Sequence, residues 1–545
     1  MKTKFLLRPL LLLALFIGFQ ANAQTPKFHR IEAHVTDSKF QELMQAGLDI
    51  DHYHYHDGHL IAEVSDADLK IFKKQRVHVK YMIKDLEKSY KKINEKIDAA
   101  NKINERTRAV TVPTPVNFGN GGTYGSGTGA RHFTYQEMQD EMDQMRALYP
   151  NLVSIKTSIG NSIQNRPLYM LKISDNPDVD EAEPEVFLNA LHHAREPISM
   201  TQLIFFMWYA LENYNTDKEI QQLLNSTELY VVPCVNPDGY VYNYTQNSAG
   251  GSMWRKNRRL NSGGSYGVDN NRNYSYGWGG SGASATQTSD TYRGTAPFSE
   301  PENIAVRDFC NSRQFVSAFN YHAYGNYCIY PYSNVAVNNN PEIPLFNQLS
   351  VFLTEDNGFT YGNAQATVNY VASGGAEDWA YAEQTTKGKM YGFTPEVGAS
   401  TDGFYPASSR IIPLCNSMIV MNKNLLKVST KYATVTSTAA STTSSVNSSV
   451  SFTIKNFSLL QATYTVTLTP LSLAVTSAPA SQTFTNIPIF QTQSGSLAYT
   501  IDPLTPSGTL LSFEISNDNG MHVRKDTIQI TFVCPAPSGL FTNSI

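Results

Sequence analysis

Glu185-Val186-Phe187-Leu188-Asn189-Ala190-Leu191-His192-His193-Ala194-Arg195-Glu196 runs from a mainly apolar segment straight into a group of ligating side chains. The segment Glu185 to Leu191 has the length and composition of a strand covered on both faces, and a helical stretch follows from Ser199 to Asn213. His193 and Glu196 stand three residues apart at the junction. At that spacing an imidazole nitrogen and a carboxylate oxygen can reach one cation, and both are donors that zinc accepts. A catalytic zinc keeps three protein ligands and leaves a position for water, so a third donor must come from elsewhere. His192 is four residues before Glu196 and is read as a supporting or packing residue.

Outward from this junction, apolar strands alternate with helices from Phe133 to about Ala433, which predicts an α/β domain with a mixed, mostly parallel sheet flanked by helices. The expected strands are Glu185 to Leu191, Leu229 to Pro233, Phe315 to Tyr321 and Lys389 to Thr394. Helices are expected at Ser199 to Asn213, at Glu300 to Arg313 with Ser299 and Glu302 as a capping box, at Leu345 to Thr354 and at Ser408 to Val428. His322 follows the strand Phe315 to Tyr321 and supplies the third donor. In open α/β sheets ligands gather at that edge, beyond the carboxyl ends of the strands.

With these residues in place, Arg131 to Ala433 resembles the funnelin zinc carboxypeptidases, the family of carboxypeptidases A, B and T, through several motifs in the family's order. His193 and Glu196 match its first two zinc ligands, and His322, ahead of Tyr330-Pro331-Tyr332, matches the third. Val235-Asn236-Pro237-Asp238-Gly239-Tyr240 leads to Trp254-Arg255-Lys256, where Arg255 matches the arginine that polarises the scissile carbonyl. In Val268-Asp269-Asn270-Asn271-Arg272-Asn273-Tyr274, Asn271 and Arg272 match the pair that holds the substrate's terminal carboxylate. Tyr370, ahead of Ala372-Ser373-Gly374-Gly375, matches the mobile tyrosine. Glu396, closing Phe393-Thr394-Pro395-Glu396, matches the catalytic glutamate.

The resemblance implies one Zn²⁺ per catalytic domain and hydrolysis of the last peptide bond of peptides or proteins. Ligation by His193, Glu196 and His322 would bring the pKa of a water towards ~7. Glu396 would take its proton and pass it to the leaving amine, and Arg255 would help stabilise the oxyanion. The fork of Arg272, with Asn271 beside it, suits a free carboxylate, which an internal peptide bond lacks. The family sets its side-chain preference just before Asp378-Trp379, where this chain carries Glu377. A buried acid there implies substrates ending in Lys or Arg.

Upstream, Lys27 to about Met82 reads as βαββαβ, with Asp57-Gly58 as the turn between the middle strands. By resemblance this is the family's pro-domain, which covers the cleft until an activating protease removes it. A charged helical stretch from Lys84 to Arg108 and a Gly-, Pro- and Thr-rich segment follow, with candidate cuts after Arg106, Arg108 or Arg131. His52, His54 and His56 alternate along one strand and are read as its polar outer face. Lys2 and Lys4, the apolar run Leu11 to Phe19 and Ala21-Asn22-Ala23 read as an export signal with its cleavage site, too short to span a membrane. The expected location is outside the cytoplasm: extracellular, periplasmic or at the cell surface.

The 545 residues exceed what one core serves. The expected organisation is a signal peptide at 1–23, a pro-domain with helical connector at 24–108, a linker at 109–130, the catalytic domain at 131–433, a β-sandwich at 434–533, and the start of a further truncated module or a tail at 534–545. A net charge of -4 gives no field that would hold nucleic acid or an anionic membrane surface, so neither is expected as a partner, and with the short apolar run read as a removed signal no membrane span is expected in the mature chain. Five scattered cysteines allow one or two disulfides, and the lack of a C-x-x-C pair disfavours a cysteine zinc site. Two other functions share parts of the pattern. An amidase or deacylase on the same zinc scaffold need not carry Asn271, Arg272 and Tyr370 together, and a catalytically silent binding protein need not fill every catalytic position.

Overall fold

The computed structural model describes residues 27–50, 53–90, 92, 113–119, 132–247 and 251–534. The export signal, most of the connector and linker, the three candidate cuts, His52 and the segment from Pro535 onward lie outside the described residues.

The first unit is a four-stranded antiparallel sheet of β1 (Phe28–His34), β2 (Tyr53–His56), β3 (His59–Ser65) and β4 (Val79–Ile83), in the order β2-β3-β1-β4. Two helices, α1 (Asp37–Gln45) and α2 (Asp66–Lys74), complete the βαββαβ order. Alternation along β1 sends Ile31 and Ala33 into a core shared with Phe40, Leu43, Leu60 and Phe72, while Arg30, Glu32 and His34 point away. Both Asp57 (φ 49°) and Gly58 (φ 79°) adopt the left-handed region, as a two-residue hairpin turn requires. His54 and His56 are exposed on the outer face, as the alternation predicts.

An eight-stranded mixed sheet forms the centre of the molecule. Its strands are β5 (Thr157–Asn161), β6 (Pro167–Ile173), β7 (Glu185–Ala190), β8 (Glu228–Val232), β9 (Phe315–Tyr321), β10 (Tyr327–Ile329), β11 (Thr360–Gly362) and β12 (Tyr391–Glu396), in the order β11-β10-β12-β9-β7-β8-β6-β5. The middle of the sheet, β12-β9-β7-β8, is parallel. Every residue of β7 is buried, its apolar Val186, Phe187, Leu188 and Ala190 together with the polar Glu185 and Asn189. The helix Pro197–Asn213 that follows is apolar on all sides, with Leu203, Ile204, Phe205, Phe206, Met207 and Trp208 fully buried. A helix without a polar stripe must be covered all round, and each such side chain contributes about 1.5–3 kcal/mol by burial.

Beyond Tyr432 a three-stranded sheet, β13 (Ala433–Ser437), β15 (Asn447–Asn456) and β18 (Thr492–Thr500), faces a five-stranded one. The latter comprises β14 (Thr442–Thr443), β16 (Thr463–Pro470), β17 (Ala480–Thr485), β19 (Leu510–Asp518) and β20 (Val523–Phe532). Val450, Phe452, Ile454, Val466, Phe513 and Phe532 fill the space between them.

Several expectations are corrected. Ser299 does not cap the helix Pro301–Asn311. Pro301 fixes its start one residue later than expected, Glu300 occupies the N-cap without a capping side chain, and the Glu302 carboxylate instead accepts from Asn257 and the Ile163 amide. The stretch Ser408 to Val428 is two helices, Ser408–Ser417 and Ile419–Ser429, the first containing Pro413. All five cysteines are free: four are buried apart from one another and Cys534 is exposed. Among the described residues no helix is long and apolar enough to cross a membrane.

Candidate active site

The strand β7 ends in a residue of unusual conformation. Leu191 lies in the left-handed region (φ 58°), which costs a side-chain-bearing residue about 1–2 kcal/mol and turns the chain sharply into His192. The loop that follows is pinned from outside: Asn236 Nδ2 donates to His192 O (3.1 Å), Asn243 Nδ2 to Ala194 O (2.8 Å), and Ala194 N to Arg255 O (2.9 Å). Asn236 also caps the helix Pro237–Gln246, and a Cβ on Gly239 would come within 2.4 Å of Lys256 O. The Asn-Pro-Asp-Gly stretch is thus a clamp for the ligand loop.

Three sequence-distant side chains meet there. His193 Nδ1 lies 2.8 Å from Glu196 Oε1, His322 Nδ1 lies 2.9 Å from Glu196 Oε2, and the two Nδ1 atoms are 2.9 Å apart. All three residues are buried, and one donor atom from each falls within 4.8 Å of the others. Such a convergence of lone pairs is repulsive unless a cation or proton sits among them, and the donor set is that of a catalytic zinc. The remaining ring nitrogens fit the same role. His193 Nε2 faces Asp269 Oδ1 (3.1 Å), a carboxylate that fixes the tautomer. His322 Nε2 faces the Asn320 amide (3.0 Å), whose Oδ1 has no hydrogen-bond partner among the described residues. Turning that amide over lets Oδ1 accept the Nε2 proton that remains when Nδ1 ligates. The residues present therefore fit the metal.

Electrostatics around the triad are strongly perturbed. Burial, with His193 close by, pushes His322 down to about 4, and burial also holds His192 well below the ordinary imidazole value. Burial alone would raise Asp269, but Arg255 and His193 outweigh it and hold the carboxyl well below its usual range. Arg255 Nε and Nη2 donate to Asp269 Oδ2 (3.1 and 2.9 Å), and its Nη1 lies 3.9 Å from Glu196 Oε1. Asp269 thus orients a ligand and an arginine at once. His192 Nε2 pairs with Tyr274 OH at 2.7 Å and stays off the triad.

The other residues singled out from sequence divide into two groups. Asn271 lies beside His322 (Nδ2 to Nε2, 3.3 Å), with its Oδ1 accepting from Ala376 N. Arg272 donates from Nε to Gly282 O and from Nη1 to Asn271 O, while Nη2 has no partner among the described residues. Arg272 and Tyr370 share a cavity of about 750 Å³ with Asp49, Ile50 and Tyr53 of the first unit. Glu396 ends β12, and its backbone bridges to His322. Glu377 does not line that cavity. It is buried with Asn320 against a space of about 20 Å³ and accepts from Thr394 Oγ1 at 3.3 Å. Burial raises the Glu377 carboxyl against the opposing effects of its hydrogen bonds and the Arg272 charge.

The sequence reading missed Asp269 and Asn320, which hold the outer nitrogens of the two ligand imidazoles. Asp269 is remote from His193 in the sequence and reaches it only through the fold, whereas Asn320 stands two residues before His322, a spacing at which strand alternation puts both side chains on one face.

A family model described as zinc carboxypeptidase matches residues 138–420. Carboxypeptidase A2 of Rattus norvegicus is 36% identical over 293 residues, covering 52% of this chain and 66% of that protein. Carboxypeptidase B of Bos taurus is 33% identical over 305 residues, covering 54% and 69%. The chain thus spans about two thirds of the length of these relatives. The crystal structure of thrombin activatable fibrinolysis inhibitor superposes with a TM-score of 0.58 at 24% identity, over 73% of this chain and 98% of that one. The carboxypeptidase A of Helicoverpa armigera gives 0.59 at 21%, over 73% and 97%. At those identities the two structures speak for the fold, and together with the family match and the ligand geometry they place the molecule: the chain belongs to the zinc carboxypeptidase family, hydrolases with one catalytic Zn²⁺.

Proposed function

We propose that this chain is the secreted precursor of a metallocarboxypeptidase that removes the C-terminal residue of peptides and proteins, with a preference for Lys or Arg. The observation that carries the reading is the meeting of His193, Glu196 and His322, with Asn271 at the outer nitrogen of His322 and Arg272 next to it in sequence, donating to the Asn271 carbonyl. In this reading His193, Glu196 and His322 hold the metal. Bound Zn²⁺ supplies Lewis-acid chemistry, acidifying a water and drawing charge from a carbonyl. Glu396 takes the water's proton and returns it to the leaving amine. Arg255, fixed by Asp269, donates to the oxygen on which negative charge develops. Arg272 grips the terminal carboxylate with Asn271 beside it, and Tyr370 closes over the bound residue. Glu377, a carboxyl that burial leaves short of charge compensation, would gain it from a substrate's Lys or Arg.

The first unit reads as a pro-domain that covers the cleft. Asp49 accepts from Ser289 Oγ (2.5 Å), Asp290 N (2.7 Å) and Thr291 Oγ1 (3.0 Å), and Tyr53 OH donates to Asn369 O (2.7 Å) with its ring 5.9 Å from that of Tyr370. These contacts sit over residues assigned to substrate binding, which supports a zymogen opened by a protease acting in the linker. The division into pro-domain, catalytic domain and β-sandwich, and export by the N-terminal signal, belong to the same proposal.

The reading is tested by release of arginine from a peptide ending in Arg, using the chain cut in its linker, before chelation, after it, and after Zn²⁺ is restored. Loss and recovery are expected. Activity that survives exhaustive chelation, or its absence in all three states, rejects the reading.

A further inference from the structure

Most of the chain's 12 histidines lie in the first unit, far more than a sheet of four short strands needs for packing. Strand alternation sorts some of them onto the outer face. His34 on β1 is the register partner of His59 on β3, and Glu32 lies two residues back on the same face of β1. The two imidazole rings meet edge to face with centroids 4.4 Å apart, and His59 Nε2 lies 2.9 Å from Glu32 Oε1. One donor atom from each of Glu32, His34 and His59 falls within 4.8 Å of the others.

We propose that Glu32, His34 and His59 form a second metal site, on the outer face of the N-terminal sheet, that takes a borderline divalent transition ion such as Zn²⁺. Two imidazoles and a carboxylate are a zinc donor set, with a position left for water. Hard cations such as Mg²⁺ and Ca²⁺ prefer all-oxygen surroundings and are disfavoured. The three side chains stand on paired strands, so their Cβ positions are fixed by the backbone ladder, and small rotamer changes bring the donors to ~2.0–2.2 Å from a common centre. The site is at the surface, so little desolvation opposes binding. Lys80 competes with the ion, its Nζ holding Glu32 Oε2 at 2.8 Å, but this leaves Oε1 for the ion. Since the ligands come from β1 and β3, a bound ion staples the two strands and stabilises the unit that covers the cleft. This site is independent of the catalytic triad and of the activity proposed above.

The test uses the full-length precursor, stripped with a chelator and titrated with Zn²⁺ by calorimetry, with bound metal counted by elemental analysis. Two equivalents are expected, and a zinc-dependent rise in the unfolding midpoint of the first unit that Mg²⁺ does not reproduce. A precursor carrying His34→Gln and His59→Gln should bind one equivalent and lose that rise. Glu32→Gln alone should weaken the second equivalent about tenfold or more, and gives a milder variant should the double one fold poorly. A His193→Ala precursor should keep the second equivalent while losing the catalytic one. The proposal is overturned if the His34 and His59 variant binds as much zinc as the unaltered precursor, or if the precursor binds a single equivalent that His193→Ala abolishes.

Discussion

His322 and Glu396 are partners in a parallel bridge just beyond the paired strands β9 and β12: His322 N donates to Pro395 O and Val397 N to His322 O, both at 2.9 Å. The third metal ligand and the proposed general base therefore ride on one rigid frame, so their separation is set by backbone hydrogen bonds.

This relationship predicts a clean separation of binding from chemistry. Glu396→Gln should retain zinc at the unaltered stoichiometry while kcat falls by about 10²- to 10⁴-fold. Metal analysis alongside steady-state kinetics on one peptide checks it. A variant that loses its zinc would place Glu396 among the ligands.

Glu377 sits buried with Thr394 as its hydrogen-bond donor, and burial raises its pKa. Replacing it by leucine should remove the charge that favours a cationic side chain, so the ratio of kcat/KM for peptides ending in Arg over Leu should fall tenfold or more, about 1.4 kcal/mol. Unaltered Glu377 enzyme releasing Leu or Phe faster than Arg would remove this residue from substrate selection.

Asp49 is the densest polar contact between the first unit and the loop Ser289–Thr291, and hydrogen bonds to a charged group contribute about 1.5–3 kcal/mol each where shielded from water. Asp49→Ala should raise the activity of the uncut precursor on short peptides and leave the fully processed enzyme unchanged. Equal precursor activities with and without Asp49 would mean that this contact does not hold the cover down.

Asp68 gives the first unit a pH signature. Burial raises its pKa to about 6 from 3.8, even though Ser65 and the Asp49 amide donate to it. The folded form thus binds a proton that the unfolded chain releases. The stability contributed is fully present below about 3.8 and is lost as the pH rises through about 6. The unfolding midpoint of Asp68→Asn, relative to the unaltered protein, should therefore improve from about pH 4 to about pH 6 and level off above that. A difference independent of pH would show that Asp68 is not perturbed.

Much of this was legible in the sequence because it is local. The mainly apolar run of β7, leading into His192-His193-Ala194-Arg195-Glu196, needed only the rule that a strand without polar alternation is covered on both faces. Asp57-Gly58 marked its turn by residue type. The strands β13, β17 and β18 are poorly marked in the sequence because Ser, Thr and Gln dominate them and much of their length faces solvent, which blurs the alternation. The false cap at Ser299 arose from a motif that Pro301 overrides. Asp269 could not be read, since what identifies it is the His193 ring nitrogen 3.1 Å away from a distant part of the chain, while Asn320, two residues before His322, was open to strand alternation.

In the proposed enzyme a metal centre is paired with a grip on a free chain end. The most direct test of this pairing is hydrolysis by the processed enzyme of two peptides of identical sequence ending in Arg, one with a free C-terminal carboxylate and one amidated. Release of arginine from the free acid, with the amide resistant, is the predicted result; comparable cleavage of both would contradict the roles given to Arg272 and Asn271 and the exopeptidase reading with them.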